Sequence, residues 1–299
     1  MSITRDLVEA VENMRETRFE RRKLLAGALT GGLAFVGGGL LAGCGGNGTA
    51  TSTGAVADPD VLNFALNLEY LEAEYYLRAM TGQGLSAADA GTGAGAVTGG
   101  SKVPFSTAAF RDYGQEIAHD ELAHVKFLRS ALGASAVPRP VINLRDSFNA
   151  AAQAAGLGST FDPFANEVNF LIGAFVFEDV GVTAYKGAAR LISNKDYLEA
   201  AAGILGVEAY HAGIVRTVLY SLGGATIDAA QKISDLRDSA DGAGDKDQGI
   251  TSGGSANLVP TDANGIAFSR STAEVLSIVY LGGTSKGGFY PNGLNGRIA

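Results

Sequence analysis

Two short segments of this chain, Glu121-Leu122-Ala123-His124 and Glu208-Ala209-Tyr210-His211, share a Glu-x-x-His spacing. Upstream of each lies an apolar segment in which a glutamate stands seven residues before a tyrosine, Glu69 before Tyr76 and Glu178 before Tyr185. Residues three apart on a helix share a face, so each Glu-x-x-His can present a carboxylate and an imidazole to one point in space. Four such helices would aim four carboxylates and two imidazoles into one core, a donor set suited to a pair of metal ions. Carboxylate and imidazole are harder donors than thiolate, which favours iron or manganese over copper(I). Two bridged ions of that kind can exchange two electrons with dioxygen or peroxide, so the chemistry implied is redox.

The elements that must position these residues can be counted from hydrophobic period. Leu62, Leu66, Glu69, Ala73, Tyr76 and Met80 recur at helical spacing behind Asp58-Pro59, which suits an N-cap followed by a first-turn proline. A second helix is predicted over about 106–132, with Ile117, Glu121, His124, Leu128 and Leu132 on one stripe and Gly133 ending it. A third begins near Asp162-Pro163 and carries Leu171, Ala174, Glu178, Val182, Tyr185, Ala189 and Ile192. A fourth carries Ile204, Glu208, His211, Val215, Val218 and Leu222 and ends at Gly223. The turn around Ser193-Asn194 is short, so the third and fourth helices should be antiparallel neighbours. The stretch 134–161, broken by Pro138 and Pro140 and holding a short helix near 146–155, is long enough for a bundle crossover. The Gly/Ala/Thr-rich stretch 82–100 reads as a surface excursion or lid, and 239–265 as a mobile segment. A short helix over 272–281 precedes a Gly-rich tail.

Every proposed ligand lies inside an apolar stripe, where an unpaired charge would be costly and a metal would remove the cost. A third copy of the spacing, Glu116-Ile117-Ala118-His119, fails this test, because its helical companions Asp112, Lys126 and Ser130 form a polar face. Glu72 shares a face with Glu69 and is a candidate additional ligand. Tyr76 and Tyr185, two turns beyond a ligand, are placed to hydrogen-bond a carboxylate and fix its geometry. Asp120 and Asp179, next to ligands in sequence, point elsewhere on their helices and should be solvated or paired.

The start of the chain reads as an address. Arg21-Arg22 precedes an apolar, Gly-rich run that ends at Leu41-Ala42-Gly43-Cys44, as in a twin-arginine signal with a lipoprotein cleavage site. Cys44, the only cysteine, is then the lipidated first residue of the mature chain, and no intrachain disulfide can form. An uncleaved transmembrane anchor is the alternative, since the run approaches the ~20 residues that span a bilayer. The expected organisation is 1–43 signal peptide, 44–57 flexible linker, 58–224 helical bundle and 225–299 a C-terminal extension packed on it. The expected location is the periplasm or cell envelope. Residues 44–299 hold 17 Lys/Arg against 26 Asp/Glu, a net charge of −9 without a basic stripe, which argues against nucleic acid.

The segments Leu68-Glu69-Tyr70-Leu71-Glu72-Ala73-Glu74-Tyr75-Tyr76, Asp120-Glu121-Leu122-Ala123-His124, Glu178 with Tyr185, and Glu208-Ala209-Tyr210-His211 resemble the four metal-bearing helices of bacterioferritin and rubrerythrin. The tail segments 270–276 and 287–293 are similar to the ending of exported bacterial ferritin-like domain proteins, a family that includes desiccation-related proteins. The resemblance runs from about residue 58 to the C-terminus, without the four-cysteine module of rubrerythrin. It implies an all-α, ferritin-like four-helix bundle with a long crossover, a short C-terminal helix and an irregular tail. It further implies Glu69 and Glu178 as terminal ligands, Glu121 and Glu208 as bridges, and His124 and His211 each completing one ion. The cofactor implied is two iron or two manganese ions, and the function an exported oxidoreductase acting on ferrous iron, oxygen or peroxide. The other reading is a noncatalytic envelope or desiccation-protection scaffold with a structural or vestigial metal site. Partners are then metal ions, small oxidants and, through the lipid on Cys44, a membrane, with homo-oligomerisation left open.

Overall fold

A computed structural model describes residues 56–299. The twin-arginine segment, Cys44 and the linker up to residue 55 lie outside the described residues. The fold is all-α, with four long helices, α1 (Asp58–Thr81), α2 (Ala108–Leu132), α4 (Glu167–Ala189) and α5 (Lys195–Leu222). The crossover carries α3 (Asp146–Ala154), and the C-terminal region adds α6 (Ala225–Asp241) and α7 (Thr272–Val279).

Local chemistry explains where each long helix starts and stops. Pro59 sits in the first turn of α1, where its missing N–H costs nothing, and Gly82 ends the helix at φ 80° with its N–H on the Arg78 carbonyl. The N-cap is Ala57, not Asp58. The Asp58 carboxylate instead accepts the backbone N–H groups of Ser193 and Asn194, tying the start of α1 to the α4–α5 turn. Helix α4 begins four residues later than expected from Asp162-Pro163, at Glu167 with Asn166 as its N-cap. Asp162 Oδ1 caps the Phe164 N–H in a turn, and Asn166 then caps α4 through the Asn169 N–H. Asn194 caps α5 by accepting from Asp196 and Tyr197.

Side-chain contacts set the directions. Met80 approaches Gly114 while Glu69 meets His124, so α1 and α2 are antiparallel. Asp179 meets Arg216 across the α4–α5 hairpin, and Tyr76 meets Glu178 while Tyr185 meets Glu69 between the hairpins. Helices α2 and α4 therefore run parallel, which a short turn cannot connect, and 133–166 supplies the crossover. Helix α4 is long and apolar enough to cross a membrane, and most of its surface is buried in the bundle core.

Two stretches differ from the sequence-based expectation. The 82–100 stretch is stitched to the crossover: β1 (Val97–Thr98) pairs in parallel with β2 (Ile142–Asn143), and Gly95 accepts from Arg139. Arg139 also pairs with Glu74, a buried carboxylate that takes Arg78 and the Leu85 N–H as well. Residues 239–265 are held by a buried lattice of charge. Arg216 and Arg237 share Asp179, Arg237 and Arg270 share Asp247, and Arg270 also takes Asp241. Arg216 donates in addition to the carbonyls of Gln248, Gly249 and Asn257, pinning β3 (Thr251–Ser252) and β4 (Ser255–Ala256) against α5.

Removing one partner of a buried ion pair strands the other, at about 3–5 kcal/mol. Asp247→Ala, which strands parts of two buried arginines, should lower unfolding stability by that order in urea titrations. A second prediction concerns Glu167, which accepts the backbone N–H and hydroxyl groups of both Ser106 and Thr107 at the start of α2. Burial would raise its pKa, but these hydrogen bonds outweigh that and hold it at about 2, against 4.5 when unfolded. The stabilisation is therefore complete above pH 4.5 and lost as pH falls towards 2. The difference in melting temperature between wild type and Glu167→Gln should be largest near neutrality and shrink steadily below pH 4.5.

Candidate metal centre

The four long helices project their acidic and histidine side chains to the middle of the bundle. Glu69 and Tyr76 come from α1, Glu121 and His124 from α2, Glu178 and Tyr185 from α4, and Glu208 and His211 from α5. Donor atoms of Glu69, Glu121, His124 and Glu208 lie within 4.8 Å of one another, as do those of Glu121, Glu178 and His211. Glu121 belongs to both groups. His124 Nδ1 stands 3.2 Å from Glu69, 3.6 Å from Glu121 and 3.7 Å from Glu208. His211 Nδ1 stands 3.1 Å from Glu121 and 3.7 Å from Glu178. The two imidazole centroids are 6.5 Å apart.

The tyrosines cross between hairpins. Tyr76 of α1 donates to Glu178 of α4, and Tyr185 of α4 donates to Glu69 of α1. Each phenol thus fixes one oxygen of a carboxylate on the other hairpin and leaves the second oxygen turned to the centre. His119 is 80% exposed, and Glu116 is exposed on the same outer face. Glu72 is buried beside the site but outside both groups of converging donors.

Two supporting residues escaped the sequence reading. Asp120 lies off the core stripe, yet its Oδ2 is 3.1 Å from His211 Nε2 on the facing helix, which leaves Nδ1 of that ring for the centre. Its place one residue before Glu121 was the available signal: that step turns it about 100° towards α5. Gly181 is the other. A Cβ there would stand 2.4 Å from Glu208 Oε2, so only glycine leaves α4 room for that carboxylate. Asp179 is buried and paired, but with Arg216 and Arg237 on the far side of α4.

Electrostatics distinguish this cluster from an ordinary ion-pair network. Burial and neighbouring carboxylate charge push Glu69 up to about 7 and Glu178 to about 8, and raise Glu208 and Glu72 well above the usual range. Burial would raise Glu121 too, but His124 and His211 outweigh it and hold its carboxyl at about 2. The imidazoles, opposed by burial but drawn up by Glu69, Glu121 and Glu178, rise to about 11 for His124 and about 9 for His211. A cluster that holds protons this way would release them to a metal cation. Both oxygens of Glu121, both of Glu208, Glu178 Oε2 and His211 Nδ1 are buried with no hydrogen-bond partner. Six such donors, held by ion-pair contacts at most and converging from oxygen and imidazole groups, fit hard or borderline divalent ions.

Residues 57–221 match the family model described as a ferritin-like domain. The chain is 29% identical over 267 residues to a protein named ferritin-like catalase Nec2 from Nesocodon mauritianus, covering 81% of this chain and 85% of that one. It is 31% identical over 245 residues to desiccation-related protein PCC13-62 from Craterostigma plantagineum, covering 74% of this chain and 76% of that one.

Outer partners of a metal-bound histidine typically account for about 10–100-fold in affinity. Asp120→Ala should therefore weaken one step of a manganese or iron titration by that factor and leave the other step and the helical circular dichroism unchanged.

Proposed function

The chain belongs to the ferritin-like domain family, and on that premise we propose that it is a di-metal carboxylate oxidoreductase acting on peroxide, dioxygen or ferrous iron. The observation that carries this reading is the set of buried carboxylate oxygens around Glu121 that accept no hydrogen bond, Glu121 standing in both donor groups. Glu69, His124 and Glu208 would hold one ion and Glu178 and His211 the other, with Glu121 between them; Glu208 is the second bridging candidate. When bound, such a pair would supply two-electron chemistry towards peroxide or dioxygen; reduction of one hydrogen peroxide to two waters takes up the two electrons and two protons that oxidation of a second to dioxygen releases.

The chain's own residues prepare that exchange. Tyr76 and Tyr185 hold Glu178 and Glu69 in place against the repulsion of Glu121. Asp120 fixes the His211 ring. The buried core keeps bulk water from the carboxylates and strengthens their pull on a cation. A relative named as a catalase supports the peroxide reading. A relative named for desiccation supports the second reading, an envelope-protection scaffold whose metal is structural. We also propose export by the twin-arginine route and anchoring through a lipid on Cys44, on the strength of Arg21-Arg22 and Leu41-Ala42-Gly43-Cys44.

Double substitution Glu121→Ala/Glu208→Ala should abolish paired metal binding, measured as metal per chain, and with it any peroxide consumption or ferrous oxidation. Glu116→Ala and His119→Ala, on the outer face of α2, should change neither. If wild-type protein loaded with iron or manganese does no better than free metal in both assays, the scaffold reading replaces the enzymatic one.

A further inference from the structure

Two neighbouring apolar cavities lie beside α7, and one of them reaches residues next to the metal centre. The one farther from the centre, called the outer one, is about 210 Å³ and is lined by residues that include Phe148 of α3, Val176 of α4, Ile233 of α6, Ile278 of α7 and Phe289 of the tail. The inner one, about 20 Å³, shares Val176, Ile278 and Phe289 with it as walls. Its other end is formed by Glu72 and Gly181. Gly181 is the residue whose missing side chain makes room for the Glu208 carboxylate, so the inner cavity stops at the edge of the donor cluster.

The chemistry of the walls selects what can pass. Glu72, at the far end, is the only polar side chain lining the inner cavity. In the outer cavity the Arg237 guanidinium is already engaged by Asp179, Asp247 and the Phe175 carbonyl. A ferrous ion entering here would lose its hydration shell and meet no side-chain oxygen but the Ser239 hydroxyl of the outer cavity and the Glu72 carboxylate at the far end, and hydrogen peroxide would lose most of its hydrogen bonds to water. Dioxygen loses neither, and leaving water for an apolar space is favourable for it. Size agrees. On the same kind of measure about 10–15 Å³ suffices for one water, so the inner cavity admits a diatomic molecule, and the outer one has space for several. A polar approach exists on the opposite helix pair, where Asp120, 35% exposed, touches His211.

We propose that these two cavities form a dioxygen conduit, through which dioxygen enters as an oxidant or leaves as the product of peroxide dismutation, separate from the route taken by ions. The conduit rests on the di-metal reading above. It also gives the C-terminal extension a role, since Ile278 and Phe289 line both cavities.

Crystals of the full-length protein under xenon pressure test the cavities without metal or turnover. Xenon in the outer cavity of wild type, displaced in Ile278→Trp, is expected; absence of xenon from the wild-type cavity overturns the conduit. Protein loaded anaerobically with ferrous ion and mixed rapidly with dioxygen tests the route. Ile278→Trp should slow oxidation by about tenfold and Ile278→Ala should accelerate it, with ferrous content per chain equal in all three proteins. Equal oxidation rates in both variants and wild type would overturn the proposal even if the cavities take xenon. Failure of the di-metal reading shows separately, as no ferrous ion bound to wild type before dioxygen is added.

Discussion

Five buried carboxylates, those of Glu69, Glu72, Glu121, Glu178 and Glu208, crowd one region of an apolar core, and the bundle is organised around that repulsion. Charges so placed cannot all ionise without cations among them, and two imidazoles neutralise only part of the excess. The hairpins therefore do more than bury leucine. They hold the glutamates at a spacing where one carboxylate, Glu121, serves both imidazoles, and where two phenols from opposite hairpins brace the outer pair. Parallel α2 and α4 are a consequence, because the tyrosine–glutamate exchange works only if α1 and α4 are antiparallel. The crossover is what that arrangement requires of the chain.

A second electrostatic system lies on the far side of α4 and obeys the opposite rule. Arg216, Arg237 and Arg270 alternate with Asp179, Asp247 and Asp241, so the buried charges balance. Every aspartate there has a guanidinium, so three positive charges face three negative ones. The work of this network is to clamp α6 and the following loops to the bundle. The contrast between consecutive residues is informative: Glu178 faces stranded acceptors and is pushed up, while Asp179 faces two arginines. One helical step of about 100° separates a cluster with an excess of buried negative charge from a charge-balanced structural network.

The C-terminal extension links both systems. Tyr290 donates to the Asn67 carbonyl and Asn295 exchanges hydrogen bonds with the Asn67 side chain, which anchors the tail to α1 two residues before Glu69. α7 and Phe289 then roof the apolar space that ends at Glu72 and Gly181. The extension is thus built into the surroundings of the centre.

Periodicity alone made the four long helices legible, because ligands and leucines share one stripe and a 3.6-residue repeat needs no partner to be seen. The same stripe test separated Glu121 and His124 from Glu116 and His119 five residues earlier. Helix α6 and the buried charges of 237–270 were not legible. A buried Arg-Asp lattice has the same composition as a solvated, flexible surface, and only tertiary pairing tells them apart. Asp120 and Gly181 were hidden for a related reason, since each acts across an interhelical gap on a residue about 30 or 90 positions away. The chain by itself determined which side chains share a helical face. The packing of two hairpins decided which of those faces meet, because carboxylate repulsion, tyrosine bracing and the space above Gly181 exist only once the helices are side by side.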